Sequence, residues 1–261
     1  MNGFNRPQIV DVRLMAAALF LGLAATLAAV AGGYHAGFFT LQAIAGRLPP
    51  EFWLTVTLLG DEKVLLALSL CLGVSRPRFA WSVLFVAVAC ALVSQGLKHA
   101  VPALRPPAVL EAASFTLAGP ELTLRSFPSG HTLSAFAMAG LLYLHAKSGV
   151  IRVLLFAVAA LVGVSRVALG VHWPVDVLAG AALGLGVVAM APALLKRISW
   201  GHALPGRVVV GMLFLTALGM LSSAPQPGHF AEHAAHAIVI GTLLVFIGQF
   251  FLLRPQPPVG E

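Results

Sequence analysis

Two histidines, one aspartate and a group of basic residues stand at spacings that suit the handling of a phosphoryl group. They fall in three stretches: Lys98 with Arg105 and Pro106, then Pro128-Ser129-Gly130-His131, then Ser165-Arg166 followed by His172 and Asp176. A phosphoryl group needs cations to offset its charge; Arg105 and Arg166 offer planar forks of N–H donors, and Lys98 offers a mobile point charge. Gly130 lets the backbone approach closely, and Ser129 and Pro174 each open a predicted helix whose positive N-terminal end attracts an anion. Cleavage further requires a nucleophile and a proton donor. Asp176 lies four residues after His172, a spacing that puts both on one face at the start of a helix. Its carboxylate can orient the imidazole and stabilise a charged phosphohistidine, so His172 is the expected nucleophile. His131 has no carboxylate nearby in sequence and is the expected general acid.

The elements that position these residues are membrane helices. The chain has 261 residues, 59% of them hydrophobic and only 10% charged, with a mean hydropathy of +0.94, which places it outside the soluble class. Charges, prolines and glycines divide it into candidate spans near 14–33, 56–74, 79–98, 130–146, 151–169, 174–195, 207–223 and 236–253. The expected fold is all-α: a polytopic transmembrane bundle with a six-helix core in residues 1–200 and a two-helix hairpin and tail in 201–261, packed as one unit. Asp61, Glu62 and Lys63 interrupt the second span, so it is expected to begin after them, with the apolar stretch before them at the interface. Arg6 and Arg13 ahead of a long apolar run resemble a signal peptide, but the run exceeds a usual signal core and fits a retained span.

The net charge of +7 comes from basic residues scattered between apolar segments, without the continuous basic face that a nucleic-acid partner requires. A cytoplasmic N-terminus puts Arg6, Arg13, Arg76, Arg78, Lys147, Arg152, Lys196, Arg197, Arg207 and Arg254 inside, as the positive-inside tendency demands. Among the outer charges, Arg47, Lys63 and Arg125 lie outside the three stretches. In that topology Lys98, Ser129, Arg166 and Pro174 all fall on the outer face. Cys71 and Cys90 lie within apolar segments and read as small packing residues.

The stretches K-x6-R-P, P-S-G-H and S-R-x5-H-x3-D together resemble, without departure, the three signatures of the type 2 phosphatidic acid phosphatase (PAP2) superfamily, which also includes vanadium-dependent haloperoxidases. The resemblance covers roughly residues 55–195. It implies Lys98, Arg105, Ser129, Gly130 and Arg166 as phosphate ligands, His172 as nucleophile, Asp176 as its partner and His131 as acid, with no metal and no cofactor. It also implies a lipid phosphate or diphosphate substrate met in the bilayer, undecaprenyl diphosphate or a phospholipid phosphate, with lipid A as the nearest rival. The implied setting is a bacterial inner membrane with the site facing the periplasm.

Plainer readings stand beside these. Lys98 and Arg105, taken singly, are also what snorkelling interfacial anchors look like. Ser165 serves either catalysis or helix packing, and His172 beside Trp173 resembles an aromatic belt residue. His35, His145 and His202 read as interfacial, and His99 as a pocket-rim residue. His229, His233 and His236 share a helical face with Glu232 close by, the pattern of either a metal site or a polar turn. A transporter also holds ionisable residues, but near mid-membrane rather than at span ends. A lipid-binding scaffold has no need of both histidines with the aspartate.

Overall fold

A computed structural model describes residues 10–71, 76–195, 204–223 and 228–252. Among the described residues eleven α-helices follow in order: α1 (Val12–Gly32), α2 (Phe38–Ala45), α3 (Pro50–Leu58), α4 (Glu62–Leu70), α5 (Pro77–Ala100), α6 (Pro106–Val109), α7 (Gly130–His145), α8 (Gly149–Ala168), α9 (Pro174–Leu195), α10 (Leu204–Ser223) and α11 (His229–Leu252). The all-α membrane bundle predicted from hydropathy is the architecture found. Five described helices are long and apolar enough to cross a bilayer, in α1, α5, α8, α9 and α11, and α10 carries a shorter apolar stretch, Val208–Ser223. Arg6, Lys196, Arg197, His202 and Arg254 fall outside the described residues.

Helix starts follow local chemistry. Asp11 caps α1 by accepting from the Arg13 and Leu14 amides at 3.1 and 3.0 Å. Proline opens α3, α5, α6 and α9, where a missing N–H is harmless and a fixed φ suits the first turn. The centre of the bundle is α9, packed between α1 and α7. Gly180 and Gly184 face α7 so closely that a Cβ on either would lie 2.6 Å from Ser129 O or 2.4 Å from Leu133 O. Small residues four apart thus let two backbones meet, and the first turns of α7 and α9 are locked together.

The second span departs from expectation. Helix α4 begins at Glu62 with Asp61 as its cap, the carboxylate accepting from Lys63 N at 2.8 Å, so the charges lie at and within the helix start instead of preceding it. The apolar stretch before them is the separate helix α3, and it packs against protein: Trp53, Leu54, Thr57 and Leu58 are buried. The reason is packing, because Leu54, Leu58 and Val64 share one cluster with Leu169 and Val171 after α8 and with Leu221, Ala231 and Ala235 of the C-terminal hairpin. A second cluster sets Val210, Phe214 and Leu218 of α10 against Ala67, Leu70 and Cys71. Cys90 lies in the core with α1, α7 and α9.

The Gly184→Ala substitution is expected to destabilise the protein by about 1–3 kcal/mol through backbone overpacking. Gly241→Ala, whose Cβ meets nothing within 4 Å, should leave it unchanged or more stable by up to about 1 kcal/mol. Unfolding midpoints in detergent separate the two.

Candidate active site

Helix α8 ends at Ala168, and Gly170 with φ +73° turns the chain back. No side chain fits there, since a Cβ would lie 2.4 Å from Thr116 O. The turn lets Arg166 O accept from both Val171 N and His172 N, at 3.1 and 3.2 Å. The five-residue gap between Arg166 and His172 is therefore the length of this C-cap turn. Trp173 follows as the first flank of α9, and Asp176 in its first turn reaches back to accept Trp173 N at 2.9 Å, half of a capping box.

The same carboxylate oxygen accepts from His172 Nδ1 at 3.3 Å and Ser126 Oγ at 2.5 Å, and its other oxygen accepts from the Tyr34 hydroxyl. Asp176 is fully buried and His172 nearly so. On the far side of the ring, Arg105 Nη1 stands 3.2 Å from Nε2. A guanidinium can only donate, so the ring carries its proton on Nδ1, toward Asp176, and a lone pair on Nε2. Burial pushes the His172 imidazole down to about 4; Asp176 pulls upward against this, while Arg105 and Arg166 add to the fall. The ring is neutral at neutral pH, the state a nitrogen nucleophile needs. Burial, with Asp176 beside it, raises the Tyr34 hydroxyl and keeps it a proton donor.

Arg105 is buried and tied down on three carbonyls: Nε to Leu124 O at 2.9 Å, Nη1 to Val171 O at 3.0 Å and Nη2 to Arg125 O at 3.4 Å. The free fork suggested by residue type is thus largely committed to holding the loop, and what it leaves for a ligand are an Nη2 N–H and the N–H now aimed at His172. Burial lowers its affinity for a proton and Asp176 partly restores it. Arg166 is buried in the last turn of α8 with Nη1 on Thr57 Oγ1 at 2.6 Å and its Nε–H without any partner. Lys98, in the last turn of α5, brings Nζ to within 3.8 Å of where a Gly130 Cβ would stand. Among the described residues the ion pairs are Lys63–Asp61 and His172–Asp176, so none of these three cations has a carboxylate partner. Charges withdrawn from water without a counter-ion are costly, and an anionic ligand relieves that cost.

Ser129 and His131 arrive at the same end of the bundle. Ser129 N donates to Asp176 O at 3.1 Å, joining the start of α7 to that of α9, while the Ser129 hydroxyl is buried against Thr132 Oγ1 at 2.9 Å. His131, in the first turn of α7, lines a cavity of about 480 Å³ between α4, α5 and α7, together with Lys98, Gly130 and Lys63. Lys98, Arg105, Ser129, Gly130, His131, Arg166, His172 and Asp176 therefore gather at one end. Arg76 and Arg78, just before and within the first turn of α5, and Lys147 and Arg152, just before and within the first turn of α8, mark the other.

Position bears on several plainer readings. Ser165 Oγ donates to Val162 O at 2.6 Å within its own helix, a packing role. Trp173 is fully buried, donating to Leu104 O at 2.7 Å, and the exposed His35 is stacked on it at 3.8 Å. The His229 group does not converge: among the described residues no three His, Cys, Asp or Glu side chains could hold a metal. Reasoning from sequence missed Tyr34, Thr57 and Ser126. Ser126 lies two residues before Pro128 and was within reach; Thr57 sits beside the charges that break the second span, itself a signal; Tyr34 carries no local signal.

Residues 79–200 match the model of the PAP2 superfamily. Over 61 residues the chain is 48% identical to a bacitracin transport permease protein, BcrC, of Bacillus licheniformis, which is 23% of this chain and 29% of that protein. Over 62 residues it is 45% identical to a lipid A 1-phosphatase of Porphyromonas gingivalis, 23% of this chain and 14% of that protein. Over 69 residues it is 41% identical to phosphatidylglycerophosphatase B of Bacillus subtilis, 23% and 34% of the two chains. The matches thus span about a seventh to a third of these curated relatives. Among solved structures, Aquifex aeolicus LpxE superposes with a TM-score of 0.52 at 28% identity, covering 61% of this chain and 94% of that one. A transmembrane PAP2 type phosphatidylglycerolphosphate phosphatase of Bacillus subtilis gives 0.52 at 25% identity, covering 72% and 97%.

The depressed His172 has a consequence for stability. Its folded value of about 4 lies below the ordinary 6.5, so above pH 6.5 both folded and unfolded forms are neutral and its contribution is fully present. Between about 6.5 and 4 only the unfolded chain takes up the proton, and the contribution is lost, on the order of 3 kcal/mol. Unfolding midpoints measured from about pH 7 to 4.5 should fall more steeply for the wild type than for His172→Gln.

Proposed function

Taking residues 79–200 as a PAP2-superfamily domain, we propose that this integral membrane protein is a lipid phosphatase acting through a phosphohistidine on His172. The observation that carries the reading is a neutral imidazole, its Nε2 lone pair directed at Arg105, within an end of the bundle where Lys98, Arg105 and Arg166 form no direct ion pair among the described residues. Nε2 attacks phosphorus and the bond from phosphorus to the lipid oxygen breaks as the new P–N bond forms. His131 gives its proton to the departing oxygen, then takes one from the water that attacks the phosphohistidine, and inorganic phosphate leaves with the P–N bond broken. Asp176 holds the Nδ1 proton and offsets the charge on the ring. Lys98, Arg105, Arg166 and the amides at the start of α7 receive the phosphoryl oxygens as their charge redistributes.

A lipid suits the cavity. Its polar end holds Lys98, Gly130 and His131, and its apolar walls continue along α5 to Val83 and along α7 to Leu141, a run of about 20 Å at helical rise. The headgroup meets Lys98 and His131 while the chain stays in bilayer-like surroundings, so the substrate enters sideways. The basic residues at the opposite end support a cytoplasmic placement for that end, and hence a site facing the periplasm in a bacterial inner membrane. Relatives named for lipid A and for phosphatidylglycerophosphate support a phospholipid or lipid A phosphate as substrate, and undecaprenyl diphosphate suits the same chemistry. The similarity to a protein named as a transport permease favours a second reading as a transporter.

Phosphate release from purified phosphatidic acid, phosphatidylglycerophosphate, lipid A and undecaprenyl diphosphate tests the proposal. The wild type is expected to turn over at least one, His172→Ala to lose about 10³-fold or more, and Arg166→Ala about 10²–10³-fold. Activity of His172→Ala equal to wild type rules the mechanism out, and lipid flux without phosphate release supports the transporter.

A further inference from the structure

We propose that Thr57 is a positioning residue for Arg166, and that the α3–α4 corner to which it belongs forms a fourth wall of the anion site beside the three motif stretches. The inference rests on the reading of that site as phosphate-binding. Thr57 lies on α3, outside residues 79–200, and is buried. Its hydroxyl accepts the short 2.6 Å bond from Arg166 Nη1, while Arg166 Nε has no partner and no carboxylate pairs with the guanidinium. One edge of a planar group is thereby fixed, which sets the plane in which its remaining donors lie.

The residue type explains the choice of partner. An Asp or Glu in this place would neutralise the guanidinium and compete with an incoming anion. A hydroxyl gives direction without charge, so the full positive charge stays available to the ligand. Valine, the isostere, would fill the space and leave a second buried donor unsatisfied.

The corner itself is built to hold this register. Gly60 sits so close to its neighbours that a Cβ would lie 2.4 Å from Val162 Cγ1, one turn before Arg166, and 2.8 Å from His131 O. The corner therefore touches both the helix that carries the arginine and the turn that carries the second histidine. Asp61 closes it by capping α4. Leu54 and Leu58, on either side of Thr57, pack with Leu221 and Ala235 of the C-terminal hairpin and with Leu169 just after Arg166. The hairpin thus backs the corner, which gives it a place in the site although it supplies no phosphate ligand.

The test compares the full-length wild type, Thr57→Val and Thr57→Ser. Phosphate release from phosphatidic acid, inhibition by vanadate and the detergent unfolding midpoint are measured for each. Losing one hydrogen bond to a charged group is expected to lower kcat/KM and weaken vanadate inhibition by roughly 10–100-fold in Thr57→Val, with the midpoint little changed, and Thr57→Ser should restore both to within about threefold of wild type. Wild-type kcat/KM in Thr57→Val overturns the proposal. So does a Thr57→Ser variant as impaired as Thr57→Val, or a Thr57→Val loss that follows a lowered midpoint with vanadate inhibition intact. A wild type inactive on every lipid removes the phosphatase reading instead. Thermal stabilisation by inorganic phosphate, weakened in Thr57→Val and kept in Thr57→Ser, then supports Thr57 alone, and equal stabilisation of all three overturns it.

Discussion

Three cations without a direct ion-pair partner among the described residues, brought together at one end of an apolar bundle, are the constraint around which the rest of this protein is arranged. Lys98, Arg105 and Arg166 reach that end from the last turn of α5, from the loop after it and from the last turn of α8, and no described carboxylate pairs with them. Asp176, the acid whose charge acts on Arg105, is already committed to His172, Ser126, Tyr34 and the Trp173 amide. Its charge fixes a neutral ring and does not cancel the cations. A fold that leaves such charges uncompensated loses stability for it, and the arrangement makes physical sense where an anion arrives to complete it.

Holding like charges close requires stiff surroundings, and the backbone supplies them. Gly180 and Gly184 bring α7 against α9, Gly170 reverses the chain between Arg166 and His172, and Gly60 sets the α3–α4 corner against His131. Each is a place where a side chain would collide with backbone or a packed neighbour. The hydrogen bonds of Arg105 to three carbonyls act in the same way, tying the loop of residues 124–125 to the turn that presents His172. Rigid placement of this kind is what allows a site to stabilise developing charge without reorganising.

Most of this was legible in the residues. Membrane helices follow from the hydropathy of the chain, and the gathering of His131, His172 and Asp176 at one end follows from counting spans between Lys98, Ser129 and Pro174. What was not legible came from tertiary contact. Tyr34 reaches Asp176 across 142 residues of sequence, a separation at which no local spacing carries a signal, and Thr57 reaches Arg166 across 109, where the nearby charges mark the segment but not the partner. Charges at Asp61–Lys63 suggested an interfacial break because their role as a helix cap depends on Gly60 lying flush against α7 and α8. Arg105 looked like an open fork because residue type cannot reveal that loop carbonyls occupy most of its donors.

Covalent chemistry at one nitrogen is the claim on which this account turns, and rapid-quench trapping during turnover of a radiophosphate-labelled lipid tests it most directly. Label that is lost in acid, stable in alkali and located on the peptide containing His172 is the predicted result. Label on the peptide containing His131, or full turnover with no labelled histidine at any quench time, would contradict it.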